Sequence, residues 1–512
     1  MATETNISSN KRIAKNTLFL YARMLLVMVV ALFTSRIVLA ALGVDDYGIY
    51  NVVGGISSSL IFFSSAISTS TQRYLNFELG RNNIVAVNNV FNLNLLLYAG
   101  LAIMVLIAGL TFGQWFVENK LVIPQAQRGA AVIVLYATVI SLSSVFIFSV
   151  FESVLIAREN MKLYAYIGII DVMMKLGIAY LIMILPDRLV AYAWLMVVVQ
   201  VLPKLMMAVY CIRKYPETKI RYYWNTKLFK EIFGFTGWNI YGSAVWMFNG
   251  QGINILLNLF FGPVVNAANG IAQQVNAAVT NFGNNFFTAV RPQLVKRFSA
   301  GEIQELLNLI YASSRFGVYL LWILSLPIIV RSSQILHIWL KDVPVYTPLF
   351  VQWVLIYSIV NSLNNPVWTA QMATGKIRKT VIIGSNLFLL AFPVSWLLLK
   401  YGVSPWVVFP VLCLGRTLFL ITTLHFLSKE IMITAKEYFV KVICPCVITI
   451  VLSTLISNLS DCLFPYDFKG LILFAMCSLF TTMLIVFSVG ITRGERLFVI
   501  EKVRSMIHSK LK

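Results

Sequence analysis

Long apolar runs limit what this chain can become before anything else does. Fourteen stretches of about twenty residues or more, dominated by Leu, Ile, Val, Phe, Ala and Met, follow one another between residues 17 and 492. About twenty such residues are what a helix needs to cross the hydrocarbon of a bilayer. Their approximate limits are 17–41, 49–76, 88–113, 129–156, 163–185, 189–212, 235–261, 266–290, 307–330, 348–373, 378–400, 404–427, 438–457 and 469–492. The runs are continuous, unlike the short alternating strands of a membrane barrel, and a helix satisfies its own backbone in lipid. Composition agrees. Only 12% of the residues are charged and 59% are hydrophobic, against about 25% charged in a soluble protein, and mean hydropathy is +0.80. The expected fold class is an all-α polytopic membrane protein of about fourteen transmembrane helices, of which the first, seventh and eighth are the least apolar.

A net charge of +21 has two readings, nucleic-acid binding or membrane topology. With the N-terminus placed in the cytoplasm, the 41 Lys and Arg residues divide into 28 in inner segments, 7 in outer segments, Arg331 among them, and 6 within spans. That asymmetry follows the positive-inside rule and accounts for the charge without nucleic acid. Deleting one span would invert every later loop, whereas losing a pair, to twelve, would leave the asymmetry intact. The expected location is a membrane crossed many times, with both termini cytoplasmic. Six scattered cysteines show no metal-ligand spacing and read as buried free thiols. Neither a metal nor a cofactor is expected.

The loops are short and leave no room for a large soluble domain. Residues 1–212 read as an N-terminal lobe of spans one to six, 213–234 as a basic cytoplasmic linker, and 235–430 as a C-terminal lobe of spans seven to twelve. Residues 431–512 hold spans thirteen and fourteen, which have no counterpart, and a basic amphipathic tail. The linker carries Arg213, Lys214, Arg221, Tyr222, Tyr223, Trp224, Lys227 and Lys230, a mixture suited to an anionic membrane surface. Each lobe opens on a glycine turn (Gly43, Gly262), followed about thirty residues later by an inner arginine (Arg73, Arg291). Copies separated by six spans share orientation, so this is the pattern of a parallel repeat.

Charges inside spans are costly and mark a partner or a cavity. Those singled out are Arg23 and Arg36 in span one, Glu152 in span four, Asp171 and Lys175 in span five, Arg315 in span nine and Arg416 near the middle of span twelve. Asp171 and Lys175 stand four apart on one helix face, either a packing ion pair or an ion-coupling site. Spans seven, eight and ten are crowded with amides, among them Asn254, Asn258, Asn269 and Gln273. Some must join helices; the rest point to a wet wall, and amides match the donors and acceptors of sugar hydroxyls. The excess of intramembrane cations favours an anionic, polar cargo.

The opening segment, with Ser35-Arg36, Leu42-Gly43-Val44-Asp45-Asp46-Tyr47-Gly48-Ile49-Tyr50 and Ser70-Thr71-Gln72-Arg73-Tyr74, resembles the polysaccharide flippases of the multidrug/oligosaccharidyl-lipid/polysaccharide exporter superfamily. The second-half turn lacks the acidic-Tyr-Gly sequence. The resemblance implies two six-helix lobes around a central cavity that opens alternately to either side. It also implies outward movement of undecaprenyl-diphosphate-linked oligosaccharide for O-antigen, capsule or related polymers, alongside other polysaccharide-assembly membrane proteins. Arg36, Arg416, Arg23 and Arg315 would then serve the diphosphate, the amides Asn254, Asn258, Asn269 and Gln273 the sugars, and Asp171 with Lys175 the coupling ion. The alternatives are a multidrug or organic-cation antiporter of the same superfamily and a polysaccharide polymerase or ligase. An enzyme is disfavoured because no soluble loop is large enough to hold a site; His337, in the outer 331–347 loop with Asp342, reads as an ordinary interfacial histidine, and His425 and His508 have no partners in sequence.

Overall fold

The computed structural model describes residues 16–27, the positions 30, 33, 34, 37, 38, 40–43, 46, 49 and 50, and then 67–119, 125–340 and 343–497. No strand occurs among the described residues. The helices are α1 (Asn16–Val27), α2 (67–80), α3 (Ile84–Asn119), α4 (Arg128–Ala157), α5 (Met161–Leu181), α6 (Arg188–Lys214), then a run Thr226–Ser299, and α9 (Ile303–Val330). Beyond these come a short α10 (Ser332–Trp339), α11 (Thr347–Thr374), α12 (Arg378–Lys400), α13 (Pro405–Ile431), α14 (Ala435–Asp461) and α15 (Phe468–Gly490). The run Thr226–Ser299 is broken at Gly262, whose φ of 77° and ψ of −173° leave the helical region, giving α7 (226–261) and α8 (263–299). Gly43 has φ 80°. Both glycines of the expected outer turns thus occupy the left-handed region that other residues avoid.

Among the described residues nine helices are long and apolar enough to cross a membrane: α3, α4, α5, α6, α9, α12, α13, α14 and α15. The protein is a multi-pass membrane protein. Expected spans one and two fall largely outside the described residues. Spans seven, eight and ten are present as the long helices α7, α8 and α11, but α7, α8 and α11 are too polar to join the nine. Their amides are the reason, and α11 joins α7 and α8 in this although its sequence had not been ranked with theirs. His337 does not lie in an open loop as expected; it sits in α10.

The chain forms two compact units. One comprises Met1–Ile240 with Thr288–Glu302, the other Tyr241–Phe287 with Ile303–Lys512. In the first unit α4 packs on α3 and α6, and α5 on α6. Its polar fastenings lie at the basic end of the helices. Glu217, fully buried, takes the Arg158 guanidinium at 2.5 Å. Glu159, 5% exposed and with φ 58°, takes Lys296 Nζ at 2.6 Å and an N–H from Gln293. The linker backbone is drawn against α3 because Asn88 Nδ2 donates to the Glu217 and Lys219 carbonyls (2.7 and 2.9 Å) while Asn92 Oδ1 accepts from the Arg221 amide (2.8 Å).

In the second unit α11 packs on α9 and α13, and α14 and α15 pack together against α9. One face of α9 grips this C-terminal pair along its length. Arg315 donates to Glu495 (2.6 Å) and to the Lys441 carbonyl (2.7 Å), Tyr319 Oη to the Gly490 carbonyl (2.8 Å), and Trp322 Nε1 to Ser453 Oγ (2.8 Å). These residues stand three and four apart, the spacing of one helix face. Just beyond α9, Arg331 is 1% exposed. Its five N–H groups meet Asp461 Oδ1 (2.6 Å), the carbonyls of Asp461, Phe464 and Pro465, and Gln334, with the Tyr466 and Phe474 rings each 4.5 Å away. Tyr466 Oη donates to Asp461 Oδ2 at 2.8 Å, a bond that pushes the phenol's pKa up. Counted in sequence as a loop charge, Arg331 is instead a buried clamp on the α14–α15 connection. α14 and α15 are accordingly held to α9 within the second unit.

Asp461→Ala removes the counter-charge of a buried guanidinium, a class of change that costs about 3 kcal/mol or more. It should lower the melting temperature of the purified protein by several degrees, and a melting temperature equal to the parent's would show that the carbonyls alone hold Arg331.

Candidate functional site

In the first unit four helices bring ionisable side chains together. The Arg23 guanidinium of α1 lies 4.6 Å from the Tyr164 ring of α5, and the Tyr164 phenol also interacts with Glu152 of α4. On α5, Lys175 Nζ meets Asp171 Oδ2 at 2.8 Å, both side chains about one third exposed. Lys204 of α6 is within electrostatic reach of Glu152, Asp171 and Lys175. Three cations and two carboxylates thus share one neighbourhood, with a net charge of about +1 if all are ionised. The stem of Arg23 is laid on Gly168: a Cβ there would stand 2.7 Å from Arg23 Cδ. Arg23 Nε is buried without a hydrogen-bond partner among the described residues. Lys204 was not among the expected site residues. Its sequence signal was a lone lysine ten residues inside the basic end of an apolar span.

In the second unit Arg416 projects from α13 between two rings, 4.7 Å from Phe388 and 5.6 Å from Phe419. Its Nε is 3.4 Å from Tyr357 Oη, and Asn364 Nδ2 donates to its carbonyl at 3.4 Å. No carboxylate of the described residues pairs with it. Aromatic faces and a phenol stabilise a guanidinium in part but leave donors open to an anion.

The amides divide into two kinds. Asn269 is 2% exposed and donates to Asn254 Oδ1, tying α8 to α7 across the Gly262 break. These two expected site residues therefore join helices. Asn276 accepts from Ser358 of α11 at 2.6 Å and donates weakly to Gln273 at 3.5 Å. Gln273 itself is exposed. It belongs to a face of α8 on which Gly270, Gln273, Gln274, Ala277, Ala278, Asn281 and Asn284 are all exposed. The exposed face of α14 has Val447, Ile448, Val451, Leu452, Leu455, Ile456 and Leu459 instead. Lipid suits the second face. The first carries amides, which hydrocarbon does not suit.

Of the other expected site residues, Arg36 lies outside the described residues, and nothing is placed for the Asn258 side chain. Arg315 is brought to Glu495 and the Lys441 carbonyl rather than to an open surface. Among the described residues no group of three or more His, Cys, Asp or Glu could hold a metal ion.

The fold has counterparts among solved structures. No protein-family model matches the chain, and no curated protein matches it. Solved structures do. A MATE transporter crystallised in a bent conformation is 11% identical, with a TM-score of 0.73 over 84% of this chain and 97% of its own. An outward-facing multidrug resistance MATE family transporter of the MOP superfamily is 11% identical, with a TM-score of 0.69 over 82% and 96%. A MOP superfamily transporter from Pyrococcus furiosus Vc1, whose reverse binding-pocket polarity is described as suggesting a different function, is 11% identical, with a TM-score of 0.68 over 82% and 96%. The chain shares their fold.

A side chain at position 168 should act through Arg23. Gly168→Val and Arg23→Ala are expected to couple by about 1 kcal/mol in a double-mutant cycle of thermal stability; strictly additive costs would show that the glycine does not position the arginine.

Proposed function

We propose that the protein is a transporter whose cargo is an anionic, sugar-bearing amphiphile, a lipid-diphosphate-linked oligosaccharide of the kind used to build O-antigen, capsule or related polymers. It would move this cargo outward across the bacterial cytoplasmic membrane by alternating access, with both termini inside. The observation that carries this reading is Arg416, a mid-span guanidinium with rings and a phenol around it and no carboxylate among the described residues. A diphosphate supplies the missing charge and accepts from a planar fork of N–H groups. The exposed Gln and Asn face of α8 supports the second half of the reading, because amides pair with sugar hydroxyls as donor and acceptor. The lipid tail would remain in the hydrocarbon throughout. The Pyrococcus relative, described as having a pocket of reverse polarity, is a precedent for one fold with pockets of different charge.

Export of drugs or organic cations is the second reading, and the solved structures favour it: those that match include a multidrug resistance MATE family transporter and several MATE complexes. Within the chain its support is the acidic pair Glu152 and Asp171 on α4 and α5. In either reading Asp171, paired with Lys175, is the group we assign to ion coupling.

Proteoliposomes decide between the two. A fluorescent lipid-diphosphate saccharide should be translocated, and Arg416→Ala should slow it about tenfold or more, the scale of one lost charge-assisted hydrogen bond, with Arg416→Lys intermediate. Robust efflux of organic cations without saccharide translocation would establish the second reading. Asp171→Asn should abolish any dependence of transport on a proton or sodium gradient; a dependence that survives would remove Asp171 from the coupling.

A further inference from the structure

α6 carries a groove of about 520 Å³ lined by Leu205, Met206, Val209, Tyr210, Arg213 and Lys214. The six residues are three adjacent pairs spaced four apart, so they form one face of the helix. That face is graded. Leu205, Met206 and Val209 are apolar and 45%, 46% and 41% exposed. Tyr210 follows, its hydroxyl taking an N–H from Asn160 at 3.2 Å. Arg213 and Lys214 close the groove in the last turn, both exposed.

Nothing in the described chain neutralises the two cations. No carboxylate of the described residues is within ion-pair distance of either. Glu217, three residues on, is fully buried and committed to Arg158. The depth of the cations is marked by the linker that follows, held against α3, with Ile220, Tyr222 and Trp224 exposed at 62%, 83% and 45%. Aromatic side chains of this kind belong at the membrane–water boundary, the level of lipid headgroups.

We propose that this groove is a binding site for an anionic phospholipid, with an acyl chain along Leu205, Met206 and Val209 and the phosphate between Arg213 and Lys214. A soluble anion has no use for the apolar half, a zwitterionic lipid brings no net charge to the cations, and the chain's own last residues, 498–512, are net basic and repelled by them. The site stands whatever the cargo of the transporter.

Binding of phosphatidylglycerol and of phosphatidylcholine to the full-length protein, counted by native mass spectrometry and by thermal shift in neutral detergent, tests this. Two interfacial basic residues supply a preference of roughly ten- to thirtyfold for the anionic lipid. Arg213→Gln with Lys214→Gln should erase the preference, and Val209→Trp, which fills the apolar half and keeps both charges, should weaken retention of the same lipid. Lys227→Gln with Lys230→Gln, on the neighbouring linker, should leave both unchanged. The site is overturned if the parent shows no preference, if the linker pair erases it equally, if the Arg213/Lys214 variant keeps it, or if glycerol phosphate protects the protein as well as the lipid does.

Discussion

Hydrocarbon offers a charge neither a high dielectric nor a hydrogen-bond partner, and this constraint sorts the arginines of the chain into two kinds. Arg331 and Arg315 each have a carboxylate and carbonyl oxygen within reach, and Arg331 two aromatic faces as well. Such residues spend their charge on structure. They hold α14 and α15 to α9 at both ends, where lipid tails give helices no hydrophobic reason to associate. Arg416 is surrounded but not neutralised. A span that keeps such a residue tolerates a standing cost, which under the proposed function is offset by affinity for an anion.

The amides follow the same division. Asn88, Asn92 and Asn94 are buried on α3, where they bind the linker, their own helix and Thr71. Asn254 and Asn269 satisfy each other. Gln273, Gln274, Asn281 and Asn284 instead share an exposed face with small residues. Small residues beside amides leave room as well as hydrogen-bonding capacity, which is what a bulky hydroxylated group requires. The same polarity took α7, α8 and α11 out of the clearly apolar helices. The features that make these helices poor membrane anchors are those the proposed cargo would use.

Sequence reading reached the spanning helices because hydropathy is a local property: twenty neighbouring residues decide whether a helix can sit in lipid. It reached the glycine turns for the same reason. Partners were beyond it. Arg331 meets Asp461 from 130 residues away and Arg315 meets Glu495 from 180, and no local pattern distinguishes either from Arg416. Topology misled it at Arg331, since a cation at a helix end reads as a loop charge whether it faces water or lies buried under Tyr466 and Phe474. Lys204 was passed over because a lone lysine in an apolar span carries no signal of its own; its meaning comes from Glu152 and Asp171 on neighbouring helices.

Those neighbours bear on how cargo and coupling could be separated within one chain. The group in the first unit contains both signs, so one small cation held there changes its balance by a full charge. Under the proposed function it is the group assigned to ion coupling. Arg416 stands between two rings and beside a phenol, without a carboxylate among the described residues. Under the proposed function it is the group that holds the anion. A fold shared at 11% identity fixes where helices run and says little about the sign of the groups they carry. In such a scaffold the placement of a few charges with and without partners, rather than the course of the backbone, determines which molecules can be carried.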